Sequence, residues 1–167
     1  MAQRPVSRES RKRDAQVTNE DIVVDTNVFI VSLIDETLLN TEETTQRPSA
    51  IAYIDGLENG HYVVHLPRIA FIEIIGVTRS KTGAGTASAI KNRLEEWANL
   101  GLVKLYTMEE VRMSSAVDLV IRHNVFRRRS LSAPGAEFIA LAEELEVPLI
   151  TFEKYFPSVS DRAFVPA

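Results

Sequence analysis

The sequence predicts an α/β protein: a three-layer α/β/α sandwich around a central parallel sheet of four or five strands. Three observations carry this. Short, largely apolar runs recur along the chain, at Ile22-Val23-Val24, Tyr62 to Leu66, Leu102 to Tyr106 and Pro148 to Thr151. Between them lie segments whose apolar residues follow helical spacing. Strands that are apolar throughout, rather than alternating, are buried on both faces, and that requires helices above and below a parallel sheet. The size agrees: 167 residues, 45 % hydrophobic and 25 % charged, suit one ordinary globular domain and exclude collagen-like, coiled-coil and wholly disordered chains.

Residues 1–20 hold almost no large apolar side chains, so they read as a disordered basic tail, with a single domain over residues 21–167. Structure should begin at Asp21. Asp25-Thr26-Asn27 offers three capping residues before a short helix from Val28 to Ile34. Asp35 to Pro48 is polar and reads as a loop or frayed segment. Positions 51, 54 and 57 then define a helix from Ser49 to Leu57, which Gly60 ends. After the second strand, Pro67 opens a helix from Ile69 to Thr78. Gly83 and Gly85 separate it from another, Thr86 to Leu100. The third strand is followed by a helix from Met108 to His123, a basic loop, and a helix from Ser132 and Pro134 to about Glu146. Ala163-Phe164-Val165 is the candidate fifth strand.

Composition removes whole classes of function. There is no cysteine, so disulfide scaffolds, thiolate metal sites and cysteine nucleophiles are out. His61, His65 and His123 have no metal-ligand spacing. No apolar run approaches the ~20 residues that span a bilayer, and the polar N-terminus lacks a signal-peptide core, so a cytoplasmic protein without a membrane role is expected. The net charge of -4 conceals an asymmetry: residues 1–20 carry five basic and three acidic side chains, the remainder 14 and 20. Such an acidic body does not bind nucleic acid through overall charge, but it is compatible with a local acidic site.

Two acids stand out. Asp25 follows the first strand, at the sheet edge where functional groups of α/β proteins gather. It can be a helix cap or a ligand. Glu73 interrupts Ile69-Ala70-Phe71-Ile72-Glu73-Ile74-Ile75-Gly76-Val77, where apolar neighbours surround it at ~100° per residue. A carboxylate in that setting needs an ion pair, with Arg68, Arg79 or Lys81 available, or a metal. Two acids converging above a sheet favour a hard cation, Mg²⁺ or Mn²⁺. Arg127-Arg128-Arg129 is either a solvated loop or a set of phosphate contacts beside that site.

Asp25-Thr26-Asn27-Val28-Phe29-Ile30 after Ile22-Val23-Val24 resembles the opening of a PIN domain. Leu66 to Gly76, with Glu73 inside, is similar to that family's second acidic motif. Phe138-Ile139-Ala140-Leu141-Ala142-Glu143-Glu144-Leu145 and Val147-Pro148-Leu149-Ile150-Thr151-Phe152 resemble its last helix and strand. The resemblance spans about residues 21–156. It implies a metal-dependent ribonuclease using Mg²⁺ or Mn²⁺, an RNA substrate, a homodimer and, for many members, a toxin held by an antitoxin.

Carried over residue by residue, the resemblance gives Asp25, Glu73 and Glu153 as the catalytic carboxylates, with Glu153 standing where Asp is usual. Asn27 and Thr151 would support Asp25 from behind. A further Asp is expected at the position occupied by Gly135. Glu137 is the nearest acid, either a third metal ligand or a first-turn match to the helix dipole. With Gly135 in that place, the alternative is a catalytically silent nucleic-acid-binding or scaffolding module.

Overall fold

A computed structural model describes residues 19–125 and 129–167 of the chain. Five parallel strands form the central sheet: β1 (Glu20–Val24), β2 (Tyr62–Pro67), β3 (Val103–Tyr106), β6 (Leu149–Ile150) and β7 (Ala163–Phe164), in the order β3-β2-β1-β6-β7. A separate antiparallel pair, β4 (Asn124–Val125) and β5 (Arg129–Ser130), stands where the sequence gives only a basic loop. Six helices connect the strands: α1 (Thr26–Leu33), α2 (Thr41–Glu58), α3 (Arg68–Thr82), α4 (Ala84–Asn99), α5 (Glu110–Arg122) and α6 (Ala133–Leu145).

The connections place the layers. From β1 the chain steps to β2 and on to β3 in one direction, through α1 with α2 and then α3 with α4. From β3 it crosses back past β1 to β6, through α5 and α6. Right-handed crossovers in opposite directions put these two helix sets on opposite faces. The packing agrees: α5 lies on α6, α6 covers β1 and β2, and α1 joins α2 to α3. The expected α/β/α sandwich is therefore present. The core consists of the inner faces of β1, β2 and β6 with Val28, Phe29, Leu57, Ile74, Leu94, Phe138, Ile139 and Leu141, all fully buried.

Two boundaries move for physical reasons. The helix expected from Ser49 begins at Thr41 instead, because Asn40 and Glu43 form a reciprocal capping box, at 2.9 Å in both directions. Pro48 then lies inside α2, where it forgoes one helical hydrogen bond. Beside it, Arg47 donates to the carbonyls of Val31 and Ile34 at 2.8 and 2.7 Å, closing the open end of α1. The second shift is at α3, which runs on to Thr82. Gly83, at φ 93°, is the single residue between α3 and α4, a backbone conformation that L side chains rarely adopt.

Strand β1 begins at Glu20, so most of the expected N-terminal tail lies outside the described residues, as do Arg127 and Arg128.

Candidate active site

The strand order reverses between β1 and β6, and a crevice opens beyond their carboxyl ends. Asp25 emerges there from β1, its backbone N–H still donating to Ile150 O of β6 at 2.9 Å. It occupies the N-cap position of α1, yet its side chain makes no capping hydrogen bond. The carboxylate turns to Thr151 instead, whose hydroxyl donates to Asp25 Oδ2 at 2.6 Å. Thr151 Oγ1 in turn accepts from the backbone N–H of Glu153 at 3.0 Å. Asn27 Oδ1 accepts from Phe152 N–H at 3.4 Å, tying the start of α1 to the segment after β6.

Glu73 reaches the same crevice from α3. Of the cations available for an ion pair with it, Lys81 pairs with Glu43 instead, at 2.7 Å. Thr26 meets Glu73, donating through Oγ1 to its Oε2 at 2.8 Å. Thr26 escapes a sequence reading because a hydroxyl beside a capping Asp has an obvious local use. Its position at the first residue of a helix facing α3 is the signal for the other role. Asp25, Glu73 and Glu153 thus line one cleft of about 820 Å³, linked through Thr26 and Thr151. Gly135, Phe138, Tyr155 and Phe156 also line it.

Burial drives the electrostatics. Asp25 is only 8 % exposed. Desolvation pushes its carboxyl up to about 6; the Thr151 hydrogen bond opposes this, and the negative charges of Glu153 and Glu73 add to the rise. The pocket therefore carries a carboxylate whose ionised form is short of compensating charge.

The remaining sequence candidates fall elsewhere. Glu137 does not line the cleft. It is buried on α6, where desolvation raises its carboxyl and the charge of Arg112 pulls the other way. Arg112 itself, 3 % exposed, holds Glu144 in a fork at 2.7 and 2.8 Å and donates to Thr107 O at 2.8 Å. Two residues along the helix, about 200° of rotation, separate Glu137 from Gly135, enough to turn it out of the site. Gly135 does face the cleft, but the space beyond it is filled. A Cβ placed there would lie 2.8 Å from the Phe156 ring and 3.1 Å from Ser132 Oγ. Arg129 belongs to β5, and Arg127 and Arg128 lie outside the described residues.

Solved structures share this arrangement of elements. One chain of a toxin–antitoxin complex from Klebsiella pneumoniae superposes with a TM-score of 0.55 at 15 % identity, covering 87 % of this chain and 98 % of that one. A chain of FitAB bound to an IR36 DNA fragment gives 0.59 at 18 %, over 87 % and 94 %. A chain of FitAcB from Neisseria gonorrhoeae gives 0.57 at 19 %, over 87 % and 96 %. The likeness is one of fold. No family model matches the chain, and no curated protein matches it.

The chemistry of the cleft is compatible with a divalent cation. The donors are hard carboxylate oxygens, and the raised Asp25 carboxyl marks uncompensated negative charge that a cation would relieve. Among the described residues, no three acidic or His side chains converge tightly enough to encage a metal unaided. A hard divalent cation such as Mg²⁺ does not require such a cage: one or two carboxylates, here Asp25 and Glu73, would hold it with water. No described helix is long and apolar enough to cross a membrane.

Proposed function

We propose that this chain is a PIN-like, Mg²⁺- or Mn²⁺-dependent endoribonuclease of the cytoplasm, and the toxin of a toxin–antitoxin pair. The single observation that carries the chemistry is Asp25: a buried carboxylate, released from capping duty, raised to about 6 and flanked by Glu73 and Glu153. The likeness in fold to a chain of a toxin–antitoxin complex supports an antitoxin partner for this chain.

In this reading Asp25 and Glu73 hold the cation. When bound it supplies the positive charge that acidifies water and offsets charge developing on a phosphodiester. Thr151 fixes the Asp25 rotamer, and Thr26 fixes Glu73. Glu153, exposed on the segment after β6, accepts a proton from the attacking water. Asp25→Asn, which keeps the volume and removes the charge, abolishes metal-dependent RNA cleavage. Undiminished cleavage by that variant would refute the assignment.

Phe156 favours the second reading, a silent module. Its ring occupies the space a side chain at position 135 would need, so the cleft has one carboxylate fewer. The two readings part in a thermal shift: a ligand at 100 times its Kd stabilises by about 2.7 kcal/mol, whereas a silent module shows no response to millimolar Mn²⁺.

The homodimer is proposed on the apolar helix faces that the fold leaves exposed. The helix expected from Ser49 buries Ala50, Ile54 and Leu57, and α4 buries Ala87, Ile90, Leu94 and Trp97. Helix α5 instead leaves Met113, Val117 and Ile121 exposed along one stripe, and α3 leaves Ile69 and Ile72.

A further inference from the structure

Of the described residues lining the cleft, five are acidic and two, Lys81 and Lys154, are basic. A polyanion entering here meets net repulsion, and these lysines are the compensating charges. Each sits on an element that carries a cleft acid. Lys154 directly follows Glu153, and Lys81 lies eight residues beyond Glu73 on α3, ~12 Å along the helix axis.

Both are tied to the first turn of α2, by different kinds of contact. Lys81 bonds Glu43 Oε1 at 2.7 Å, and the other Glu43 oxygen closes the α2 capping box. Held from both oxygens and with side chains 30 % and 22 % exposed, that pair is fixed. An ammonium has three donors, so Lys81 can meet a phosphate without leaving Glu43. Lys154 bonds Glu42 Oε1 at 2.9 Å, with the two side chains 70 % and 65 % exposed. Glu42 makes no capping bond, and a pair this exposed to water is weak and opens readily.

We infer that Lys81 and Lys154 are the phosphate contacts for RNA in this cleft, and that Glu42 is an internal competitor. Its carboxylate occupies Lys154 until a backbone phosphate of the RNA replaces it. The inference rests on the ribonuclease reading above and adds the residues that grip the strand.

The test is binding of a short fluorescent single-stranded RNA, followed by anisotropy in EDTA so that no cleavage occurs, across a range of salt concentrations. Lys154→Gln and Lys81→Gln each lower the slope of log K against log salt by about 0.7 and weaken binding about fivefold at 0.1 M salt. Glu42→Gln binds more tightly than the parent, and that gain vanishes in the Lys154→Gln background. Lys154 and Glu42 lie outside the core, so urea curves of both variants match the parent. Unchanged slopes in the lysine variants overturn the contact assignment while leaving the nuclease reading in place. A Glu42→Gln gain that persists without Lys154 overturns the competition. A parent chain that binds no RNA at low salt, either in EDTA or with Ca²⁺ supplied as a cation that does not support cleavage, overturns the ribonuclease reading and this inference together.

Discussion

Asp25→Asn should make the metal-free protein more stable. The carboxyl moves from 3.8 to about 6 on folding, chiefly by desolvation. At about 1.4 kcal/mol per unit, the ionised Asp25 costs the folded state about 3 kcal/mol near pH 7. The pH dependence follows from the direction of the shift. Below 3.8 the group is protonated whether folded or not, and there is no penalty. Between 3.8 and about 6 the folded chain binds the proton more tightly, so stability falls as pH rises; above about 6 the full penalty is present. Asn keeps an oxygen for the Thr151 hydroxyl and never ionises. Urea unfolding in EDTA, followed through the buried single tryptophan Trp97, reads the difference directly. The variant should exceed the parent by up to about 3 kcal/mol at pH 7.5, a gain of about 6–12 °C in Tm, shrinking toward zero near pH 4. Millimolar Mn²⁺ should then close the gap by stabilising the parent alone. A variant less stable than the parent at pH 7.5, or a difference independent of pH, would refute the claim that desolvated charge dominates this site.

Three further outcomes are expected. Gly135→Asp lowers stability by about 1–3 kcal/mol, since its Cβ meets the Phe156 ring at 2.8 Å, and adding Phe156→Leu recovers part of the loss in a double-mutant cycle. A single variant as stable as the parent would show that the ring yields. Glu137→Gln leaves the Mn²⁺ response intact and the stability at pH 7 equal or higher, because a buried carboxyl raised by desolvation is relieved of its charge; a lost Mn²⁺ shift would put Glu137 back at the site. Val117→Glu with Ile121→Glu converts a dimer to monomer by light scattering at tens of micromolar, and a parent that is already monomeric ends the dimer proposal.

The fold was legible because its evidence is periodic. Ile22 to Val24, Tyr62 to Val64 and Leu149-Ile150 are apolar without alternation, and only a sheet covered on both faces satisfies that. The start of α2 was not legible from periodicity, since Thr41 to Arg47 carries no apolar stripe. That turn exists because Asn40 and Glu43 exchange hydrogen bonds and because Arg47 has carbonyls of α1 to cap. The β4–β5 pair is too short, at two residues a strand, to print a pattern at all.

The site divides along the same line. Asp25 and Glu73 could be read from the chain, because one follows a strand and the other breaks an apolar run. What each carboxylate does once there depends on partners 126 and 47 residues away, Thr151 and Thr26, which no local pattern couples. Position 135 shows the limit most clearly. Its helical direction, worked from the spacing of Phe138, Leu141 and Ala142, turns it toward the core side of α6, and in the structure it lines the cleft. Whether a side chain fits there is decided by Phe156, twenty-one residues on and reaching back from beyond β6. Gly at 135 and Phe at 156 therefore form one steric unit. In the nuclease reading proposed above, a cleft that gives this volume to an aromatic ring would hold a cation through fewer carboxylates and would lean on the phosphate of its substrate to complete the shell.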